Sequence, residues 1–130
     1  MKKKNRTGKL SLVILGIVTV IFLVLANKGI DIKYVVSNGS INISWFGETK
    51  IPIKDIVEIR LLDELPQMEK VKGVEFFNLR QGTFFIEGIG KVKVYSPDIR
   101  KKMVLIKTPV MTYGVTPENA KEFISYIDMN

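Results

Sequence analysis

The chain has 130 residues, no cysteine, no histidine and a formal net charge of +7. One domain with an appendage fits that length. The missing cysteine excludes disulfides, thiol nucleophiles and thiolate metal sites, and the missing histidine removes the commonest general base and metal ligand near neutral pH.

The charge is unevenly placed. Lys2, Lys3, Lys4, Arg6 and Lys9 precede the first apolar stretch with no acid among them, whereas from Asn27 onward 15 basic side chains stand against 13 acidic ones. The basicity belongs to the leader. A nucleic-acid partner would want it on the folded domain, so none is expected.

Leu10 to Ala26 runs 17 residues without a charge. As a helix it rises about 26 Å, slightly short of a ~30 Å hydrocarbon core, and Lys9 and Lys28 can snorkel to close the gap. We therefore expect a basic cytoplasmic N-terminus at residues 1–9, a transmembrane helix over 10–28 and a domain over 29–130. After the apolar run only Lys28 and Lys33 follow closely. The positive-inside bias then makes the protein single-pass in the cell membrane, with the C-terminal domain extracytoplasmic. A cleaved signal peptide ending at Ala26, giving a secreted domain, is the alternative. It has the basic start, and Val24-Leu25-Ala26 passes as a cleavage site, but the apolar stretch is long and Val24 is larger than the preferred alanine.

In the domain, Ile30 to Ser37 is rich in β-branched and aromatic residues and Ile41 to Phe46 alternates. Between them sits Asn38-Gly39, the strongest short hairpin signal, because both central positions of such a turn need positive φ. Gly47-Glu48 turns the chain into a third strand over Thr49–Ile53, whose Pro52 suits a strand end. Ile56 to Leu62 reads as a fourth strand. Leu65 to Gly73 is polar, lacks alternation and carries Pro66, so it reads as a loop. Apolar content restarts at Phe76, Phe77 and Leu79, and glycines then punctuate short strands over Thr83–Ile86 and Lys91–Tyr95. After the turn residues Ser96-Pro97-Asp98 a last pair covers Lys102–Thr108 and Met111–Val115.

The period then changes. Thr116 is a good N-cap, Pro117 fits the first helical position, and Ala120, Phe123, Ile124 and Ile127 recur at helical spacing. The fold class is mainly β: a bent sheet or open barrel of about seven strands, with the helix covering one end to hide its apolar face.

Four stretches carry a family resemblance: Tyr34-Val-Val-Ser-Asn-Gly-Ser-Ile, Ile51-Pro-Ile-Lys-Asp-Ile-Val-Glu-Ile, Gly73 through Gly82-Thr-Phe-Phe, and Tyr113-Gly-Val-Thr-Pro-Glu-Asn-Ala-Lys-Glu-Phe. In these the domain resembles bacterial pleckstrin-homology-like (PH-like) domains, specifically small membrane-anchored ones. The resemblance implies a two-sheet, barrel-like fold capped by the C-terminal helix and an interaction role, with no enzymatic activity. Phosphoinositide-binding relatives place Lys and Arg between their first two strands. Here that loop is Asn38-Gly39, tight and uncharged, which argues against headgroup binding by that route.

Three groups of side chains are candidate sites. Arg100, Lys101 and Lys102, with Lys91, Lys93 and Lys107 on neighbouring segments, form a basic set able to meet anionic lipid or an anionic envelope polymer. Solvated charges that guard an edge explain the same residues. Phe76, Phe77, Phe84 and Phe85 are candidates for an exposed aromatic interface, because neighbours on a strand point to opposite faces and one of each pair is then exposed. Asp55, Glu58, Asp63, Glu64 and Glu69 cluster without a spacing motif and read as surface. No catalytic, cofactor or metal site is expected. The partners expected are the membrane, through the anchor, and a protein or a second copy of the chain.

Overall fold

The computed structural model describes residues 32–129. The apolar run Leu10–Ala26, its basic flank and the cleavage alternative lie outside them.

Asn38 and Gly39, at φ +52 and +74, close the first hairpin as their residue types demand. They join β1 (Lys33–Ser37) to β2 (Ser40–Ser44), and β3 (Glu48–Pro52) completes an antiparallel three-stranded sheet in the order β1-β2-β3. Alternation buries Ile41 and Ile43 on β2 and Ile51 on β3. A 3-10 turn at Ile53–Asp55 follows, anchored where the Ile53 N–H donates to the Gly39 carbonyl at 2.9 Å.

The remaining strands form one six-stranded sheet. They are β4 (Glu58–Leu61), β5 (Met68–Phe76), β6 (Leu79–Ile86), β7 (Gly90–Ser96), β8 (Val104–Lys107) and β9 (Thr112–Val115), in the spatial order β4-β8-β9-β7-β6-β5. All its pairings are antiparallel except β7 with β9. Paired residues share a face, so the register sorts the side chains. On one face Phe84, Ile86, Val92, Val94 and Leu105 gather with Leu62 and Met103 into a core. On the other, Tyr95, Val115 and Val104 lie level across β7, β9 and β8. This sheet is buried on both faces at its centre, which is why Val104, Leu105 and Ile106 are buried in succession.

The chain ends in α1 (Ala120–Met129), with Phe123 and Ile127 buried. Its cap is Asn119, whose Oδ1 accepts the Glu122 N–H at 3.0 Å, a contact worth about 1 kcal/mol. The expected cap at Thr116 is thus displaced by three residues, because the Thr116 hydroxyl and N–H are engaged elsewhere. The strand count also rises, from about seven to nine in two sheets. The strand not foreseen is β5, where a loop was expected over Leu65–Gly73. From Glu69 to Phe76 it is exposed on both faces at the sheet margin, so its sequence has no buried side to produce alternation.

Gly73 and Gly82 sit directly opposite each other across β5 and β6, at φ +144 and +128. A Cβ on Gly82 would strike the Lys72 carbonyl and stand 2.6 Å from the Gly73 Cα, so only glycine permits this approach. Gly82→Ala is expected to lower stability by about 2 kcal/mol or more in urea denaturation. Gly88→Asn, at φ +80 with open space around it, carries only the strain of the positive φ, which asparagine tolerates best, and should cost about 1 kcal/mol or less. Equal losses at the two positions would contradict the close approach.

Candidate functional site

The two sheets and the helix meet at Tyr34. From β1 its hydroxyl donates to the Tyr95 carbonyl on β7 and accepts the Thr116 N–H at 3.1 Å. Its ring meets Phe123 of α1 edge-on, with centroids 5.9 Å apart. Alongside, Thr49 Oγ1 on β3 and the Tyr95 hydroxyl share a hydrogen bond of 3.0 Å, and the buried Ser96 and Thr116 hydroxyls share one of 2.6 Å. Burial pushes the Tyr34 phenol up to about 12, against the opposing pull of Thr116. These groups are committed to one another. They form a structural junction, and it covers one face of β7.

Past that junction the cover on the same face thins, with Leu79 still buried but its neighbours toward β5 exposed. Val74 and Phe76 on β5 pair with Gln81 and Leu79, and Phe85 on β6 pairs with Glu69, so Val74, Phe76 and Phe85 share a face with Tyr95. All three are exposed, as is Val71 at the irregularity between Lys70 and Lys72. At the hairpin tip Phe77 is 83% exposed and stacks edge-on against Phe76 at 4.7 Å. Its φ of +52 is rare for a bulky residue, and Arg80 braces the turn by donating to the Phe77 carbonyl at 2.6 Å. Among the described residues β5 pairs with β6 alone, so its outer edge of N–H and C=O groups is open. The result is a ledge of apolar side chains beside a free strand edge, with Glu69, Lys72 and Lys91 around it.

Of the four candidate phenylalanines, then, Phe76, Phe77 and Phe85 are at the surface. Phe84 is a correction: it is fully buried, because it alternates inward beside Phe85 and packs in the core. Both members of the other pair are exposed, since the turn at Phe77 ends the alternation.

The basic residues do not converge. Lys91 and Lys93 lie on the first half of β7 and Lys107 ends β8, all toward one end of the six-stranded sheet, whereas Arg100–Lys102 lie beyond the opposite end of β7. At about 3.3 Å per residue these ends stand roughly 20 Å apart. Arg100 is also paired with Asp98 at 2.9 Å, which holds that carboxyl below the usual range, and Lys101 is paired with Glu118. Lys93 lies 5.8 Å over the Tyr95 ring.

Asp55, Glu58, Asp63, Glu64 and Glu69 are all exposed. Among the described residues no group of three or more carboxylates is placed to hold a metal. A shallow cleft of about 320 Å³ opens between β3 and the β8–β9 turn, with Lys50, Pro52, Asp55, Thr108, Val110 and Tyr113 on its walls. It presents one carboxylate, without a second for acid–base work.

Sequence reasoning missed the junction and, of the ledge, the β5 edge; its aromatic side chains were among the candidates. A signal for the ledge is present, since Gly73 and Gly82 stand symmetrically about Phe77-Asn78, as a hairpin requires. The Tyr34 junction joins positions 61 and 82 residues apart and leaves no local trace.

Two β-sheets tied through one junction and closed by a C-terminal helix define a PH-like scaffold, a framework for binding surfaces more than for one chemistry. Residues 32–129 match the model of the bacterial PH domain family, and the chain belongs to that family. No curated protein and no solved structure shows significant similarity to it. Among the described residues no helix is long and apolar enough to cross a membrane.

Tyr34 supplies a pH test of the junction. Below about pH 10 the phenol is neutral in both the folded and unfolded chain. Between about 10 and 12 the unfolded chain ionises first, so the contribution of Tyr34 is lost as pH rises, by about 2–3 kcal/mol. Wild type should exceed Tyr34→Phe in stability at pH 8, and the difference should shrink by pH 11.5. A difference independent of pH in denaturation curves would contradict a buried phenol.

Proposed function

We propose that this bacterial PH domain is a non-catalytic interaction module, held by a single N-terminal anchor on the outer side of the cell membrane. It would bind a protein partner, or a second copy of itself, along β5. The observation that carries this is the ledge: Val71, Val74, Phe76, Phe77 and Phe85 are exposed together beside an open strand edge. An extended segment added to β5 would satisfy the free backbone groups and cover the apolar side chains in one step. Glu69, Lys70, Lys72 and Glu75 give the edge mixed charge, which discourages indiscriminate pairing and favours a partner with matching charges. The anchor supports the reading by raising the effective concentration of membrane partners, so that a modest interface suffices. The dispersed, partly paired lysines and arginines offer less to an anionic polymer or lipid.

The absence of cysteine permits a direct test with single-cysteine variants and a membrane-impermeant maleimide. Val110→Cys, at a position 91% exposed on the β8–β9 turn, should label in intact cells. Val74→Cys should label slowly in cells and readily once the protein is purified in detergent. Labelling of Val110→Cys only after lysis would place the domain in the cytoplasm. Equal rates at both positions in cells would show the edge to be free.

A further inference from the structure

β5 is regular over a short stretch with two natural ends. The irregularity between Lys70 and Lys72 interrupts its ladder on one side, and the turn that begins at Phe77 closes it on the other. Between them lie five residues, Lys72-Gly73-Val74-Glu75-Phe76. Phe76 pairs with Leu79 next to that two-residue turn, so its backbone groups face β6. Opposed residues alternate between bonded and non-bonded pairs, so the groups of Val74 and Lys72 also face β6. The Lys72 carbonyl does lie on that side, where a Cβ on Gly82 would strike it. The N–H and C=O of Gly73 and Glu75 therefore point to the open side. Side chains divide in the same rhythm: Lys72, Val74 and Phe76 stand on the ledge face and Glu75 on the other.

This stretch is symmetric about Val74, with the free backbone groups of Gly73 and Glu75 one residue to either side. An antiparallel copy related by a two-fold axis at Val74 pairs all five residues: Val74 with Val74, Gly73 with Glu75, and Lys72 with Phe76. Each Gly73–Glu75 pair exchanges both its bonds, so about four hydrogen bonds form from groups that are otherwise open. On the ledge face Val74 meets Val74, and each Lys72 ammonium lies beside the Phe76 ring of the other copy. The axis must pass through a residue, because paired residues share a face. At Lys72 or Glu75 it would oppose two like charges. At Gly73 or Phe76 it would run the ladder into the irregularity or the turn. Val74 is the position left.

We propose, resting on the interaction role proposed above, that the occupant of the β5 edge is a second copy of this chain, paired antiparallel about a two-fold axis at Val74. The pairing joins two six-stranded sheets into one, and the exposed Val74, Phe76 and Phe85 of both copies form a single apolar strip. Lys72 and Glu75, which oppose other strands poorly, meet a ring and a glycine in this register. A two-fold contact uses the same patch on both copies and is closed, so assembly through this edge stops at two.

The test places cysteines in the full chain, which has none, and treats intact cells with dibromobimane, a membrane-permeant reagent that bridges only thiols in near contact. Opposed non-bonded residues bring their Cα atoms to about 4.5 Å, so Val74→Cys should join to its own copy and run at twice its mass. Phe76→Cys stands roughly 14 Å from its own copy and should give about tenfold less dimer. Adding Lys72→Cys to Phe76→Cys should restore the dimer. Comparable joining at Val74→Cys, Phe76→Cys and Val110→Cys would mean chance collision and overturn the proposal. No dimer, with Val74→Cys still shielded from N-ethylmaleimide, would also overturn it and leave a different protein at the edge. No dimer, with Val74→Cys as reactive as Val110→Cys, would overturn the interaction role as well.

Discussion

The hydroxyl of Tyr34 holds this domain together in a way no single strand pairing does. Each sheet is completed by its own ladder, but a ladder says nothing about how one sheet lies on another. That relation is set where Tyr34 reaches from β1 to the backbone at Tyr95 and Thr116, with its ring against Phe123. A partly buried phenol whose hydroxyl is withdrawn from water is tolerable only with its donor and acceptor both satisfied. The junction therefore selects one arrangement of the three-stranded sheet, the six-stranded sheet and the helix.

A consequence is that the cover stops short. The three-stranded sheet and α1 engage the six-stranded sheet around β7 and β9, and farther along the same face Leu79 is still buried while Val74, Phe76 and Phe85 are exposed. The inner side of the β5–β6 hairpin is core, with Phe84 and Ile86 fully buried, while its outer side carries Val74, Phe76 and Phe85. The cross-strand glycines Gly73 and Gly82 press the two strands together at mid-hairpin. The ledge is thus built on a well-supported element, as a preformed binding surface should be.

Much of this was legible wherever one face of an element is buried. The Asn38-Gly39 turn, the strands around Ile41, Ile51, Val92 and Ile106, and the Phe123–Ile127 face of the helix all follow from turn chemistry and period. Reading failed where burial does not shape the sequence or where distant residues meet. β5 is exposed on both faces and so looked like a loop, and Thr116 looked like a helix cap because its hydroxyl serves Ser96 from across the fold. Phe84 and Phe85 were separable in principle by alternation, but which of them turned inward depended on the core.

Taken together, the chemistry lies at the margins: an open edge on β5, the apolar side chains beside it, and exposed carboxylates that are not gathered into a dyad. The central proposal is that the chain is membrane-anchored and that its β5 edge is then occupied by a partner. Amide hydrogen exchange of the full chain tests it most directly, comparing native membrane vesicles with detergent solution. The account predicts that amides between Glu69 and Phe76 exchange more slowly in the vesicles, while those of β7 and β8, already paired on both sides, are unchanged. Identical exchange along β5 in the two states would contradict it.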